Sequence, residues 1–297
     1  MNPQPYSPGK PGIFRMEAKD YHAAPGVGKH SLDAIFDSPA MYQLLKKHGF
    51  KSTEAMEFST LCHTAILEPD KLKDSFVMRP ETYVSVDKKG NQEIKPWSGN
   101  SNTCKAWLAA NEGKQVLTKP ELETIQNIAQ SCRNHPIVGA LLEEGEAEIS
   151  LFAECPYTGM LRKGRPDWIT ADEEGKTVLV DFKFVADANR HAFRKQLETL
   201  RYHVQHAYYV DLCELLGQGK PRFLFVVVQK TPMHPDEPKH KVRVEEVHEV
   251  DVEFGRNMYI RDLLRLQECI KTDTWKDDTD KIGLMTLSSW YRKENAV

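Results

Sequence analysis

Two carboxylates and an amine fall into a short pattern in this sequence. Pro166-Asp167 is followed, after thirteen residues, by Asp181-Phe182-Lys183, which reads PD-(x)13-D-x-K. Asp181 and Lys183 are i and i+2. In a strand they share one face, while Phe182 turns to the other face and the core. Asp167 ends a strand-like run from Ser150 to Trp168, and Asp181 ends the apolar run Thr177-Val178-Leu179-Val180. The turn-rich Asp172-Glu173-Glu174-Gly175 between them predicts a hairpin that brings Asp167 beside Asp181. Two carboxylates and an ammonium at a strand end suit a hard divalent cation, with positive charge next to an attacking water.

Other residues could join this group. Arg201, Gln205 and Tyr209 follow one another at i, i+4, i+8 and share a helix face. On spacing alone Tyr209 reads as core filling and Gln205 as a solvated amide. Over the strand ends, both could bind phosphate or orient a base. His63 lies on a helix with Leu61, Ile66 and Leu67, where a lone histidine is more often structural than a ligand. Glu148 begins the strand before the PD strand and could complete a metal shell, but Glu143, Glu144 and Glu146 are equally near in sequence. Arg162, Lys163 and Arg165 lead up to Asp167. Arg190, Arg194, Lys195 and Arg201 follow Lys183. As a cluster beside the acids these cations form a candidate phosphate track.

These residues need elements to carry them. A helix is expected from Leu32 with Ser31 as its N-cap, another from Pro39 through Leu45, and another over Met56–Leu67. Tyr83 to Asn100 reads as a mobile loop. Helices follow near Thr103–Asn111 and Lys119–Asn134, the latter with Pro120 in its first turn. From Glu146 the pattern turns to strands: Glu148–Ala153 alternates, Met160–Ile169 returns, and Thr177–Phe182 is a third strand. Ala188–Leu216 reads as one long helix. Phe223-Leu224-Phe225-Val226-Val227-Val228 reads as a buried central strand. Lys241–Val252 alternates as a further strand, and Phe254–Lys271 is an amphipathic helix. Helices first, then strands with a crossover helix, predict a mixed α/β fold: a central mixed sheet flanked by helices, with an N-terminal helical region. Residues 1–20 are expected to be a flexible tail, 21–145 the helical part and 146–297 the catalytic core, all within one domain.

Composition bounds the partners. The chain has 297 residues, 40% of them apolar, so it can bury a sizeable core. Its formal net charge of -3 does not mark a nucleic-acid binder, but a local basic face would suffice for one. No run of eighteen apolar residues offers a membrane span, and the Pro/Gly-rich start is no secretory signal. A cytoplasmic location is expected. None of the six cysteines forms a C-x2-C pair, so reduced thiols are expected rather than disulfides, zinc or iron–sulfur clusters.

In order along the chain, His63, Glu148, Pro166-Asp167, Asp181-x-Lys183 and Gln205-x-x-x-Tyr209 resemble the RecB-like branch of the PD-(D/E)xK nucleases. Flanking segments are similar to the RecE-like exonucleases of that branch: Tyr21–Gly26, Cys62–Pro69, Gly164-Arg165-Pro166-Asp167 and Arg201–Tyr209. The resemblance runs from about residue 20 to the end. One departure is Leu61-Cys62 before His63, where the family has a small Gly-x-x-x-His segment. The resemblance implies a restriction-endonuclease-like core and a Mg2+-dependent, ATP-independent 5′–3′ exodeoxyribonuclease. Its substrate would be ends of linear double-stranded DNA, which it leaves with 3′ single-stranded tails for recombination. Two Mg2+ ions, replaceable by Mn2+, would be held by His63, Glu148, Asp167, Asp181 and the carbonyl of Phe182. Lys183 would sit by the nucleophilic water, and Gln205 and Tyr209 by the scissile phosphate. A ring-shaped homo-oligomer, tetramer favoured, and a RecT-like single-strand annealing partner are also implied, in a bacterial or phage-infected cell. The competing readings are an endonuclease of the same superfamily, for which no groove-reading element is identified, and a non-catalytic DNA-end-binding module, which would be expected to have lost Asp181 or Lys183.

Overall fold

The computed structural model describes residues 1, 3–49, 52–86, 89–277, 282–287 and 289–294. Its strands are β1 (Gly12–Arg15), β2 (Val77–Met78), β3 (Thr82–Val86), β4 (Gln92–Pro96), β5 (Val116–Leu117), β6 (Glu146–Ala147), β7 (Ile149–Glu154), β8 (Leu161–Gly164), β9 (Trp168–Ala171), β10 (Thr177–Val185), β11 (Arg222–His234) and β12 (Glu237–Glu245). Its helices are α1 (Ala18–Ala23), α2 (Lys29–Asp37), α3 (Pro39–His48), α4 (Glu54–Leu67), α5 (Asn102–Ala110), α6 (Lys119–Arg133), α7 (Pro136–Leu141), α8 (Arg190–Thr199), α9 (Tyr202–Leu215), α10 (Glu249–Thr272) and α11 (Ser289–Glu294).

The continuous apolar runs of β10 and β11 make them the middle of a five-stranded sheet ordered β12-β11-β10-β9-β6. They run parallel, with Asp181 opposite Phe225, and α8 and α9 form the crossover between them. The other pairings in this sheet are antiparallel. Leu179, Phe223, Phe225 and Val227 pack on one face with Phe193 of α8, Val204 and Tyr208 of α9 and Leu263 of α10. Val178, Val180, Phe182, Leu224 and Val226 pack on the other with Leu61 and Ile66 of α4 and Ile125 and Ile128 of α6. The result is the mixed α/β arrangement expected, with helices on both faces of a mixed sheet. A second, antiparallel sheet, β1-β7-β8, lies beside it.

The β9–β10 hairpin forms as predicted, with Thr177 opposite Ala171. Asp172 accepts from the N–H of Lys176 at 2.7 Å to close the turn. The capping box at Thr118 and Glu121 starts α6 as the Lys119-Pro120 signal implied.

Several expectations are corrected. The supposed tail of residues 1–20 contains β1, whose Ile13 and Phe14 are buried against β7. The expected loop at Tyr83–Asn100 contains the β3–β4 hairpin; residues 87 and 88 lie outside the described residues. Helix α2 begins at Lys29 rather than after Ser31, with Gly28 at its N-cap. The long helix expected over Ala188–Leu216 is two helices broken at Arg201, which takes a left-handed φ of 55°. The strand expected over Lys241–Val252 ends at Glu245, and α10 starts at Glu249. Strand β7 does not alternate in burial, because Ile149 and Leu151 meet one core and Phe152 packs with Phe14 and Tyr21 in another. All six cysteines are free and buried. Among the described residues no helix is long and apolar enough to cross a membrane.

Candidate metal centre

The chain passes between the two sheets twice, and an acid sits at each passage. Between β6 and β7 it turns at Glu148, whose φ of 57° is unusual for a residue with a Cβ. Between β8 and β9 it turns through Arg165-Pro166-Asp167. The Glu148 N–H donates to the Asp167 carbonyl at 3.0 Å, which ties the two passages together. The sequence expectation put Asp167 at the end of one continuous strand. It lies instead in the crossing from β8 to β9, so its carboxylate is free to reach past the end of the hairpin.

That reach ends on β10. Asp167 Oδ2 accepts from the Phe182 N–H at 2.6 Å. Within a strand, the N–H and C=O of one residue leave on the same edge. The Phe182 carbonyl therefore opens toward the Asp167 side, where it could serve as an oxygen ligand. Helix α4 presents His63 from the opposite sheet face, its ring edge-on to Phe184 at 5.0 Å and to Phe182 at 6.2 Å. His63 Nδ1 stands 3.5 Å from Asp167 Oδ2. One ligand atom each from His63, Glu148 and Asp167 lies within 4.8 Å of the others. The choice left open between Glu148 and Glu146 now has geometry behind it, since Glu146 turns away to pair with Arg15 at 2.9 Å.

Asp181 and Lys183 project side by side onto the α9 face, as the period of two requires. Lys183 Nζ is 2.5 Å from Asp181 Oδ1. Gln205, expected from spacing to be solvated, is buried and bridges them. Its amide nitrogen donates to Asp181 Oδ2, and its oxygen accepts from Lys183 Nζ at 3.0 Å. Tyr209 is buried too, and its ring lies against Gly164, where a Cβ would come within 3.0 Å of it. That places it beneath the loop bearing Asp167 rather than at the cleft surface. The sequence reading missed Tyr202, whose ring centroid lies 4.5 Å from Lys183 Nζ. Tyr202, Gln205 and Tyr209 stand at i, i+3, i+7, a helical spacing that would have found it.

These residues fit a divalent cation. His63 Nδ1 is buried without a hydrogen-bond partner. Burial, outweighing the pull of Glu148 and Asp181, lowers the His63 pKa and favours the neutral imidazole that can ligate. Burial, then repulsion from Asp181, raises Asp167 well above the usual carboxylate range. Burial, then the charge of Asp167, raises Glu148 to about 7. Crowded and desolvated carboxyls with an orphaned imidazole are what a cation would stabilise. One nitrogen among oxygens suits Mg2+ or Mn2+. Burial pulls the Lys183 ammonium down, but Asp181, Tyr202 and Asp167 outweigh it and hold its pKa above the ordinary value.

The basic residues divide differently from the expected phosphate track. Arg162 is 1% exposed, with its guanidinium carbon 5.2 Å from the Tyr208 ring centre and 5.4 Å from that of Tyr259. Lys163 is buried, donating to the carbonyls of Tyr21 at 2.8 Å and Ala24 at 2.7 Å. Arg201 is buried and ion-paired with Asp33 and Asp262. A cation buried this deeply cannot meet a phosphate, so these three assignments are corrected, even though the Arg162 guanidinium nitrogens have no hydrogen-bond partner among the described residues. Arg190 and Arg194 are exposed, though Arg190 pairs with Glu245 at 3.3 Å. Arg165 pairs with Glu148 at 2.8 Å and lines a cleft of about 1090 Å³ that opens onto His63 and Glu148, walled by Tyr6, Thr60 and Thr64.

The family described as "PDDEXK-like domain of unknown function (DUF3799)" matches residues 32–287. The crystal structure of a "putative exonuclease" from Eubacterium rectale aligns over 95% of this chain and 99% of that one, with a TM-score of 0.58 and 11% identity, a likeness of fold. The crystal structure of SSO0001 aligns over 48% of this chain and 59% of that one at 16% identity, with a TM-score of 0.24, too low to bear on the fold. No curated protein sequence matches the chain.

Proposed function

The chain belongs to the PDDEXK-like DUF3799 family, and from that premise we propose that it is a divalent-metal-dependent exodeoxyribonuclease acting on ends of linear double-stranded DNA. The observation that carries the reading is the convergence of His63, Glu148 and Asp167 within 4.8 Å beside the Asp181–Lys183 pair. A binding module has no need of this arrangement, in which acids and an imidazole are desolvated together next to a held ammonium.

His63, Glu148, Asp167, Asp181 and the Phe182 carbonyl would hold Mg2+ ions. When bound, these supply a Lewis acid for a phosphate oxygen and lower the pKa of a coordinated water. The chain's own residues do the rest. Lys183 keeps its proton, so its role is to stabilise negative charge on the attacking water and on the pentavalent phosphate, not to accept a proton. Gln205 fixes both Asp181 and Lys183 through one planar amide, which limits their freedom to reorient. Tyr209 packs its ring against Gly164, just before the loop that bears Asp167, and so supports that loop from beneath. Hydrolysis forms a bond from the water oxygen to phosphorus and breaks the bond from phosphorus to the leaving strand. Nothing in this chemistry needs ATP.

Digestion from the 5′ end, 3′ single-stranded tails, a ring-shaped tetramer and an annealing partner complete the proposal, supported by the resemblance to RecE-like exonucleases. The test is digestion of linear duplex, labelled at its 5′ or 3′ end, beside covalently closed circles, with Mg2+ and with EDTA. Early loss of the 5′ label, sparing of circles and inhibition by EDTA are expected. Cleavage of circles at the same rate would favour an endonuclease, and end binding without cleavage a non-catalytic module.

A further inference from the structure

The break between α8 and α9 has a structural cause that bears on the active residues. Arg201 is a non-glycine residue with a φ of 55°, a conformation disfavoured by its Cβ and retained only where the surroundings enforce it. Its surroundings do so from two helices. From α2, the Leu32 carbonyl accepts from Arg201 Nη1 at 3.1 Å and Asp33 Oδ1 accepts from it at 3.2 Å. From α10, Asp262 accepts from Arg201 Nη2. The Phe36 ring covers the guanidinium at 4.1 Å. Lys29 grips the residue before, donating to the Leu200 carbonyl at 2.7 Å while pairing with Asp33 at 2.6 Å. The side chains of Arg201 and Asp262 are 6% and 2% exposed. Two turns before Asp262, Gly255 abuts the same helix start. A Cβ there would come within 2.4 Å of the His203 carbonyl oxygen.

The first turn of α9 therefore has little freedom, and it carries Gln205. The Gln205 N–H donates to the Arg201 carbonyl at 3.2 Å, so the residue held by α2 and α10 is also the first acceptor of that turn. Gln205 in turn bridges Asp181 and Lys183, and Tyr202, next after Arg201, covers the Lys183 ammonium. A rotation of the first turn would move both residues off the pair at once.

We propose that the buried Arg201–Asp262 ion pair is the positioning device of the site. It locks the left-handed turn between α8 and α9 and thereby holds the Gln205 amide between Asp181 and Lys183. Arg201 and Asp262 touch no reacting atom and act through Gln205. This rests on the nuclease reading above.

The test is a double-mutant cycle with Gln205. Steady-state cleavage of linear duplex is measured for Asp262→Asn, Gln205→Ala and the combination. Asp262→Asn is expected to lower kcat by on the order of 10- to 100-fold with KM within about twofold. The combined variant should fall no more than about twofold below Gln205→Ala alone, because the two changes remove one function. Losses that multiply, or an unchanged kcat in Asp262→Asn, would overturn the proposal. Should Asp262→Asn not fold, the apolar swap Arg201→Met with Asp262→Leu, which leaves no uncompensated buried charge, goes through the same cycle. Hydrogen exchange of residues 200–209 provides a readout that needs no activity. Exchange there should quicken by about tenfold or more while residues 222–228 of β11 stay protected. Unchanged exchange in 200–209 would also overturn the proposal. A wild-type protein that never cleaves would sink the nuclease reading instead, leaving exchange to decide whether the ion pair holds α9.

Discussion

The carboxylate of Asp167 accepts a hydrogen bond from the backbone N–H of Phe182, which stands between Asp181 and Lys183. The two halves of the PD-(x)13-D-x-K pattern are thus latched together directly and not only through the hairpin that joins them. A side chain that accepts this bond and would also hold the proposed cation has little tolerance for replacement.

Asp167→Asn should accordingly cut the rate of DNA hydrolysis by on the order of 10³-fold or more, even though an amide oxygen could still accept from Phe182. Circular dichroism and the melting temperature should show that the fold survives. Steady-state rates at saturating DNA are the measurement.

Metal should stabilise the folded chain. At about 100 times its dissociation constant, Mn2+ should add about 2.7 kcal/mol, visible as a higher melting temperature that EDTA reverses. The sign of the pH effect follows from Glu148, whose pKa is raised to about 7 by burial and by Asp167. For a raised acid, the stability gained from the protonated form is present below the unfolded value and lost as pH rises through 7. A cation needs the ionised form. Without metal the melting temperature should drift down through that window, and the increment from Mn2+ should grow across it. Glu148→Gln should flatten both trends.

A separate acid sensitivity should come from His206, stacked on Phe223 at 4.8 Å. Burial, then repulsion from Arg256, lowers its pKa to about 4. For a depressed histidine the stability is complete above the unfolded value near 6.5 and is lost as pH falls toward 4, on the order of 2–3 kcal/mol in total. His206→Phe should remove most of that slope in acid-denaturation curves.

The cations should separate by burial. Arg162→Leu should cost stability, on the order of 1–3 kcal/mol through the lost contacts with two tyrosine rings, with the salt dependence of DNA binding unchanged. Arg194→Ala, at an exposed position, should weaken binding and reduce the salt slope by about 1. Binding titrations at several salt concentrations distinguish the two.

Much of the site was legible because a strand has a period of two. That alone set Asp181 beside Lys183 and turned Phe182 to the core, and the turn residues Asp172–Gly175 predicted the hairpin. The buried β11 announced itself by its unbroken apolar run. His63 and Glu148 were weak candidates on their own residues, and only the resemblance singled them out as ligands. Glu148 takes its place through a left-handed turn between two sheets, and no local pattern encodes that. The break at Arg201 was hidden for the same reason: arginine is an ordinary helix residue, and the contacts enforcing the turn come from Asp33 and Asp262, far away in sequence. Arg162 misled because charge usually marks a surface. Here two tyrosines that approach only in the folded chain enclose it.

The most direct test of the whole account compares wild-type protein with Asp181→Ala on end-labelled linear duplex DNA, each with Mg2+ and with EDTA. The account predicts rapid loss of label for the wild type with Mg2+ and none in the other three reactions. Cleavage by Asp181→Ala at the wild-type rate, or cleavage by the wild type that persists in EDTA, would contradict it.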